Sequence, residues 1–170
     1  MSTSESREIG VIVEWQAVDS PWITHRWRVT ELLPGAAGVV PWTLLDAGPN
    51  VRRYFAGNAE LSLYPLETDT LKHNVEGPIP AVYVFLRSTA EPPGMTLLGA
   101  TVCAGEAGAH ADTGSDLVEA VPMPSAILGW VTEFVTAHHQ ERPSYRRLRD
   151  RSDRGERVAG RRVESGPDDE

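Results

Sequence analysis

Cysteine is almost absent from the chain, since Cys103 is the only one in 170 residues. A single thiol cannot form an internal disulfide, which is typical of proteins from a reducing compartment. No apolar run reaches the roughly 18 residues that a membrane-spanning helix needs. The polar, Ser-rich start from Met1 to Glu8 does not have the pattern of a secretory signal. We therefore expect a cytoplasmic protein with no membrane contact.

The sequence also lacks the signatures of several large enzyme classes. It has no Gly-rich phosphate loop ending in Gly-Lys-Ser/Thr, no Gly-x-Gly-x-x-Gly turn, no Gly-x-Ser-x-Gly elbow, no His-Glu-x-x-His helix and no Cys-x-x-Cys pair. These absences count against P-loop NTPases, the common dinucleotide enzymes, α/β-hydrolases, zincins and zinc ribbons. We expect a protein without a resident cofactor, and no complete motif indicates an enzyme.

Positive charge is scarce in residues 1–139, which carry 7 Lys or Arg against 16 Asp or Glu. Residues 142–162 reverse this balance, with 9 Arg against 3 acidic residues. An acidic domain repels nucleic acid, so nucleic acid is disfavoured as a partner. Beyond Ser152 almost nothing is apolar. We expect a flexible N-terminus at 1–7, a single α+β domain at 8–151 and a disordered charged tail at 152–170.

Short β-prone runs dominate the domain. The alternation of Ile9, Val11, Val13 and Trp15 is typical of a half-buried strand. Gly57-Asn58 predicts a hairpin turn, because Gly accepts a positive φ without steric cost. The run 81–86 is apolar at successive positions and predicts a central strand that is covered on both faces. The predicted strand segments are 9–15, 25–33, 42–47, 52–56, 59–64, 81–86, 95–102 and 117–121.

Helical signals are found at 67–76, 103–112 and 125–139. The last is the strongest, because Ile127, Val131, Phe134 and Val135 fall on one stripe. Tight connections between the strand segments favour antiparallel pairing. The sequence therefore predicts an α+β fold: a mostly antiparallel sheet of about six short strands, with a C-terminal amphipathic helix packed on one face.

Three residues whose side chains can react or bind a metal share one predicted helix. Cys103, Glu106 and His110 have the spacing i, i+3, i+7, which aligns them on one helical face. All three residue types bind zinc, and a helix N-terminus favours a thiolate. A reactive or metal-binding thiol is therefore one interpretation. The other is a small buried Cys with Glu106 and His110 in solvent.

Aromatic residues are concentrated in the first quarter of the chain, where four of the five Trp lie. Most such residues pack in a core. Trp22 lies in the turn Ser20-Pro21-Trp22, and we expect it to be exposed together with His25 and Trp27. These three residues are candidates for a protein-contact surface, as are Arg142, Arg146 and Arg147 in the Arg-rich segment.

Several segments together resemble a bacterial family of unknown function, over about residues 8–151. The segments that carry the resemblance are Gly10-Val11-Ile12-Val13-Glu14, Ser20-Pro21-Trp22 with His25 and Trp27, Pro41-Trp42-Thr43, Tyr54-Phe55-Ala56-Gly57, Glu67-Thr68, Ala81-Val82-Tyr83-Val84-Phe85-Leu86-Arg87, Val121-Pro122-Met123-Pro124, Phe134 through His139, and Arg142-Pro143.

Members of that family are typically encoded near molybdenum-dependent formate dehydrogenase and its accessory proteins. Some carry the label molybdopterin-guanine dinucleotide biosynthesis protein A. The genuine guanylyltransferase begins with a loop of the type Leu-Ala-Gly-Gly, which this chain does not have at its start. No catalytic residue is therefore carried over from that enzyme.

The resemblance implies a non-catalytic accessory protein in assembly or maturation of a formate dehydrogenase, with the dehydrogenase or its maturation proteins as partner. Two alternatives stay open. One is a cofactor-processing protein that uses Cys103. The other is a binding module for a molybdopterin-type cofactor, in which Trp and Tyr stack on the ring and Arg52, Arg53 or Arg87 pair with its phosphates.

Overall fold

The computed structural model describes residues 3–139, in which strands and helices follow one another as an α+β arrangement. The predicted tail at 152–170 and the candidates Arg142, Arg146 and Arg147 lie outside the described residues. The elements are β1 (Glu5–Ala17), β2 (His25–Pro34), β3 (Thr43–Ala47), β4 (Val51–Leu63), α1 (Thr68–Glu76), β5 (Ala81–Ser88), β6 (Met95–Thr101), α2 (Ala104–Asp112), β7 (Asp116–Pro122) and α3 (Ser125–His138). A short 3-10 turn, Pro65–Glu67, leads into α1.

The strands form two antiparallel sheets rather than the single sheet that was expected. The first has the order β2-β1-β4-β3, and the second has the order β6-β5-β7. The α+β class and the antiparallel pairing are thus confirmed. The division into two sheets follows from burial, because two short sheets can face one another across one core while each keeps an outer face.

The core lies between the two sheets and is closed by α3. The strand that was expected to be half-buried is covered on both faces here, because Ile12 is also buried, and the face that carries Ile9, Val11 and Val13 is fully buried. They belong to one cluster with inward-facing residues of β5, such as Val82 and Val84. From α3 the cluster takes the predicted stripe of Ile127, Val131, Phe134 and Val135 together with Trp130. The amphipathic prediction for this helix is confirmed.

The hairpin predicted at Gly57-Asn58 is wrong. Residues 51–63 form the single strand β4, which pairs with β1 along its length. Val11 lies opposite Gly57 while Ile12 lies opposite Phe55, so the strand carries one extra residue at that point. Gly57 has a φ of +137°. Its positive φ therefore serves a β-bulge and not a turn, and both uses require the same residue type.

Two strand predictions differ in outcome. The central covered strand is confirmed: β5 lies between β6 and β7, its Val84 faces the core, and Phe85 is buried under α2. The first strand begins at Glu5, earlier than expected, because Glu5 pairs with Leu63 at the end of β4. Its first four residues are exposed, so they carry no burial signal.

No helix within residues 3–139 is long and apolar enough to span a bilayer.

Candidate functional site

The turn between β1 and β2 carries the most exposed aromatic side chain among residues 3–139. Trp22 is 89% exposed and its neighbour Ile23 is 51% exposed. The Val18 amide donates to the Thr24 carbonyl at 3.0 Å, and the Trp22 amide donates to Ser20 Oγ at 3.2 Å. The backbone of the turn is therefore tied at two points while its largest side chain projects into solvent, as the sequence predicted for Trp22.

A stack of cationic and aromatic groups lies at the same end of the four-stranded sheet. His25 pairs with Ala17, so it follows the turn directly. Its ring stacks on Trp15 with the ring centroids 5.7 Å apart, and the Arg52 guanidinium carbon lies 4.8 Å from the Trp15 centroid. We call Trp15, Trp22, Ile23, His25 and Arg52 the aromatic end of the sheet.

Trp27 is buried, so the expectation that it is exposed is wrong. Its side chain is 7% exposed and belongs to the core cluster. The ring packs edge-on against Trp42 at 5.9 Å and tilted against Tyr54 at 5.7 Å between centroids. Trp27 and Val29 are two positions apart in β2, so both side chains lie on the inward face of the strand.

The three Arg residues considered for phosphate contacts have different surroundings. Arg53 pairs with Glu31 at 3.3 Å, and Arg87 Nε donates to Asp116 Oδ1 at 2.9 Å. Arg52 instead lies over the face of Trp15. Two of the three guanidinium groups are thus engaged with carboxylates. Arg52 differs from them because the contact of its guanidinium group is with the face of the Trp15 ring.

Cys103 lies at the junction of β6 and α2, as predicted, and it is buried at 7% exposure. Its amide donates to Thr101 Oγ1 at 3.1 Å, and the Thr101 hydroxyl donates to Glu106 Oε2 at 2.9 Å. Partial burial raises the pKa of Glu67, and the negative charge of the nearby Glu106 raises it further. Glu106 is therefore tied to the β6–α2 junction and not to the thiol.

His110, one turn after Glu106 on α2, is held in a fixed orientation. Its Nδ1 lies 3.1 Å from Asp116 Oδ2, and its ring stacks on Phe85 with centroids 3.9 Å apart. The Asp116 side chain is 1% exposed. Its pKa is lowered by the hydrogen bond from Arg87 and then by that from His110, so the carboxylate is ionised and accepts from both.

The predicted face of Cys103, Glu106 and His110 does not form a metal site. Residues 3–139 contain no group of three or more His, Cys, Asp or Glu side chains placed to hold a metal ion. The thiol points into the protein while Glu106 is exposed. The sequence reasoning missed Asp116, whose role depends on the register that sets it opposite Arg87 across β5 and β7. Cross-strand register has no signal in a single sequence.

Residues 8–148 match a protein family described as a protein of unknown function, DUF3305. The match covers more than four-fifths of the chain and confirms the resemblance at the level of a family of unknown function. The description names no activity, cofactor or partner. No curated protein and no solved structure matches the chain.

Proposed function

We propose that this chain, which belongs to the DUF3305 family, is a non-catalytic accessory protein in the assembly or maturation of a molybdenum-dependent formate dehydrogenase. The choice of partner rests on the segments that resemble a family encoded beside such enzymes. The observation that supports a role in protein contact is the exposure of Trp22, at 89%, on a turn whose backbone is tied at two points.

An exposed Trp next to an exposed Ile is typical of a contact point. Tryptophan is enriched among the residues that dominate binding energy at protein interfaces. Burying about 200 Å² of its surface at about 25 cal/mol per Å² is favourable by on the order of 5 kcal/mol before the losses on association. Ile23 adds apolar area beside it. The aromatic end therefore offers an anchor that the isolated fold does not use.

The charge of the domain indicates the kind of surface that it would meet. Residues 1–139 carry 16 acidic against 7 basic residues. Such a surface repels acidic partners and attracts basic ones over distances of about one Debye length. We therefore expect the contact region of the dehydrogenase, or of a maturation protein bound to it, to combine an apolar pocket for Trp22 with a basic rim.

A tagged pull-down from cells that express a molybdenum-dependent formate dehydrogenase tests this proposal. The wild-type protein should recover the dehydrogenase or one of its maturation proteins. Trp22→Ala should reduce recovery at least tenfold, while Leu66→Ala should not. Leu66 is a matched control because it is also 89% exposed but lies in the 3-10 turn before α1.

An experiment in the same cells distinguishes this accessory role from a catalytic role of the Cys103 thiol. Recovery of the partner should be unchanged in Cys103→Ala, and the dehydrogenase should remain active in a strain that carries this variant. Loss of dehydrogenase activity with the folded Cys103→Ala protein would instead favour a cofactor-processing role. Recovery of no dehydrogenase component by the wild-type protein would remove the proposal.

A second candidate, a binding module for a pterin-type cofactor, is favoured by one observation. Arg52 lies over Trp15, with His25 stacked on the same ring, which combines a flat aromatic surface with a cation. A planar ring that carries phosphate would have to displace one of these two side chains to stack on Trp15 while its phosphate pairs with Arg52. Near-ultraviolet absorbance of bound pterin in the purified protein, lost in Arg52→Ala, is the result that this candidate requires.

A further inference from the structure

A pocket of about 310 Å³ opens between β4, β6 and α2, away from the aromatic end. Its polar side chains include Glu60 of β4 and Glu106 and His110 of α2, and Leu97 and Leu98 of β6 add apolar surface. Gly99 also lines it, and a Cβ placed on Gly99 would meet no described atom within 4 Å. The open space over β6 therefore exists partly because this position carries no side chain.

His110 is the best-fixed polar group of this pocket. Its ring is stacked on Phe85 at 3.9 Å and its Nδ1 is bound by the carboxylate of Asp116, which is 1% exposed and also accepts from Arg87. Because Nδ1 donates to Asp116, the nitrogen that His110 can offer to a ligand is Nε2. In the neutral ring this atom accepts a hydrogen bond.

The charge of the side chains that line the pocket restricts the class of ligand that can bind. Glu60 and Glu106 are carboxylates, and among the described residues that line the pocket there is no Lys or Arg. One oxygen of Glu106 accepts from Thr101, which leaves the other to accept from a ligand. An anion would be repelled, whereas a cation that donates hydrogen bonds would be attracted.

We propose that this pocket binds a small amine, whose ammonium group donates hydrogen bonds to the Glu106 carboxylate and to Nε2 of His110. An ammonium group has three donors and no acceptor, which matches the Glu106 carboxylate and, in the neutral form of the ring, Nε2 of His110 one helical turn further along α2. The carbon chain of the amine lies along Leu97 and Leu98, and Glu60 is near enough to the pocket to face a second amine. This site is separate from the protein-contact role proposed above.

Calorimetric titration of the full chain with putrescine tests the site. Putrescine should bind, and Glu106→Gln should weaken binding about tenfold, the loss expected when one charge-assisted hydrogen bond becomes neutral. Gly99→Val should abolish binding by filling the open space. Gly108→Val is the matched control: a Cβ at this position also meets no described atom within 4 Å, but the position lies outside the lining of the pocket.

Three further arms decide the ligand class. Phosphate and acetate should not bind, and binding of either would overturn the charge argument. A lysine-containing tripeptide distinguishes a free amine from a protein side chain, and tighter binding of the tripeptide than of putrescine would overturn the small-molecule assignment. Putrescine binding that is equal in wild type, Glu106→Gln and Gly99→Val would place it elsewhere and remove the proposal. If Gly99→Val does not fold, Glu106→Gln decides.

Discussion

The side chain of Asn74 on α1 joins three elements and provides the sharpest test of what holds this fold together. Its Nδ2 donates to the carbonyls of Ala81 and Val102, each at 2.9 Å, and its Oδ1 accepts from the Ala81 amide at 3.0 Å. Ala81 begins β5 and Val102 directly follows β6. One amide therefore connects the helix to the start of one strand and the end of its neighbour.

Asn74→Ala should cost about 3 kcal/mol of unfolding free energy, because each of the three hydrogen bonds contributes about 1 kcal/mol net. For a domain of this size that loss corresponds to roughly 10 °C in Tm. Asn74→Asp keeps the acceptor for the Ala81 amide but sets a second oxygen against two carbonyl oxygens. It should be at least as destabilising at neutral pH and less so in acid, where a protonated carboxyl donates again.

Urea unfolding followed by circular dichroism measures both variants. Asn58→Ala is the control, because its amide also makes two hydrogen bonds to one backbone residue, Ala37, but on the surface. Water replaces those bonds, so the cost should stay below about 1 kcal/mol. Equal costs for Asn74→Ala and Asn58→Ala would refute the argument that burial of the three backbone groups sets the magnitude.

Three shorter predictions concern strain and charge. Gly57→Ala should destabilise the protein by about 1–2 kcal/mol because of the positive φ at the bulge, whereas Gly99→Ala should be near neutral in the same unfolding assay. The raised pKa of Glu67 means that its ionised form is disfavoured in the folded state. Glu67→Gln should therefore increase stability at pH 7, and the gain should disappear once the pH falls below the ordinary value of 4.5. The pKa of Asp116 is lowered, so its ionised form is favoured in the folded state. This stabilisation is fully present above the ordinary value of 3.8 and is lost as the pH falls through the lowered pKa. Asp116→Asn should remove that acid-dependent loss, as measured by urea unfolding at a series of acid pH values.

Local periodicity predicted most of the elements, because it reports burial directly. The stripe of Ile127, Val131 and Phe134 is one face of α3, and the apolar run 81–86 lies within β5. The buried residues of α3 follow the helical spacing, whereas β5 is buried at nearly every position because both of its faces are covered. A single sequence is sufficient for such elements, since the partner surface only has to be apolar.

The pairing of the strands and their register could not be predicted in the same way. Gly57 gives the same signal for a turn and for a bulge, and only the long partner strand β1 decides between them. The contact of Arg87 with Asp116 depends on the register of β5 against β7, which fixes residues that are 29 positions apart. Asp116 in turn orients His110, so the candidate pocket depends on a contact that no local pattern encodes.

Trp22 and Trp27 lie five positions apart but have opposite roles, and a pair of variants shows it. Trp27 is 7% exposed among Trp42 and Tyr54, so Trp27→Ala should cost about 3–5 kcal/mol of unfolding free energy. Trp22 is 89% exposed, so Trp22→Ala should change stability by less than about 0.5 kcal/mol. Thermal unfolding of both variants checks this contrast, and a destabilisation by Trp22→Ala as large as that by Trp27→Ala would contradict it. Because Trp22 contributes little to the isolated fold, a loss of partner recovery in Trp22→Ala reports on the contact itself and not on unfolding.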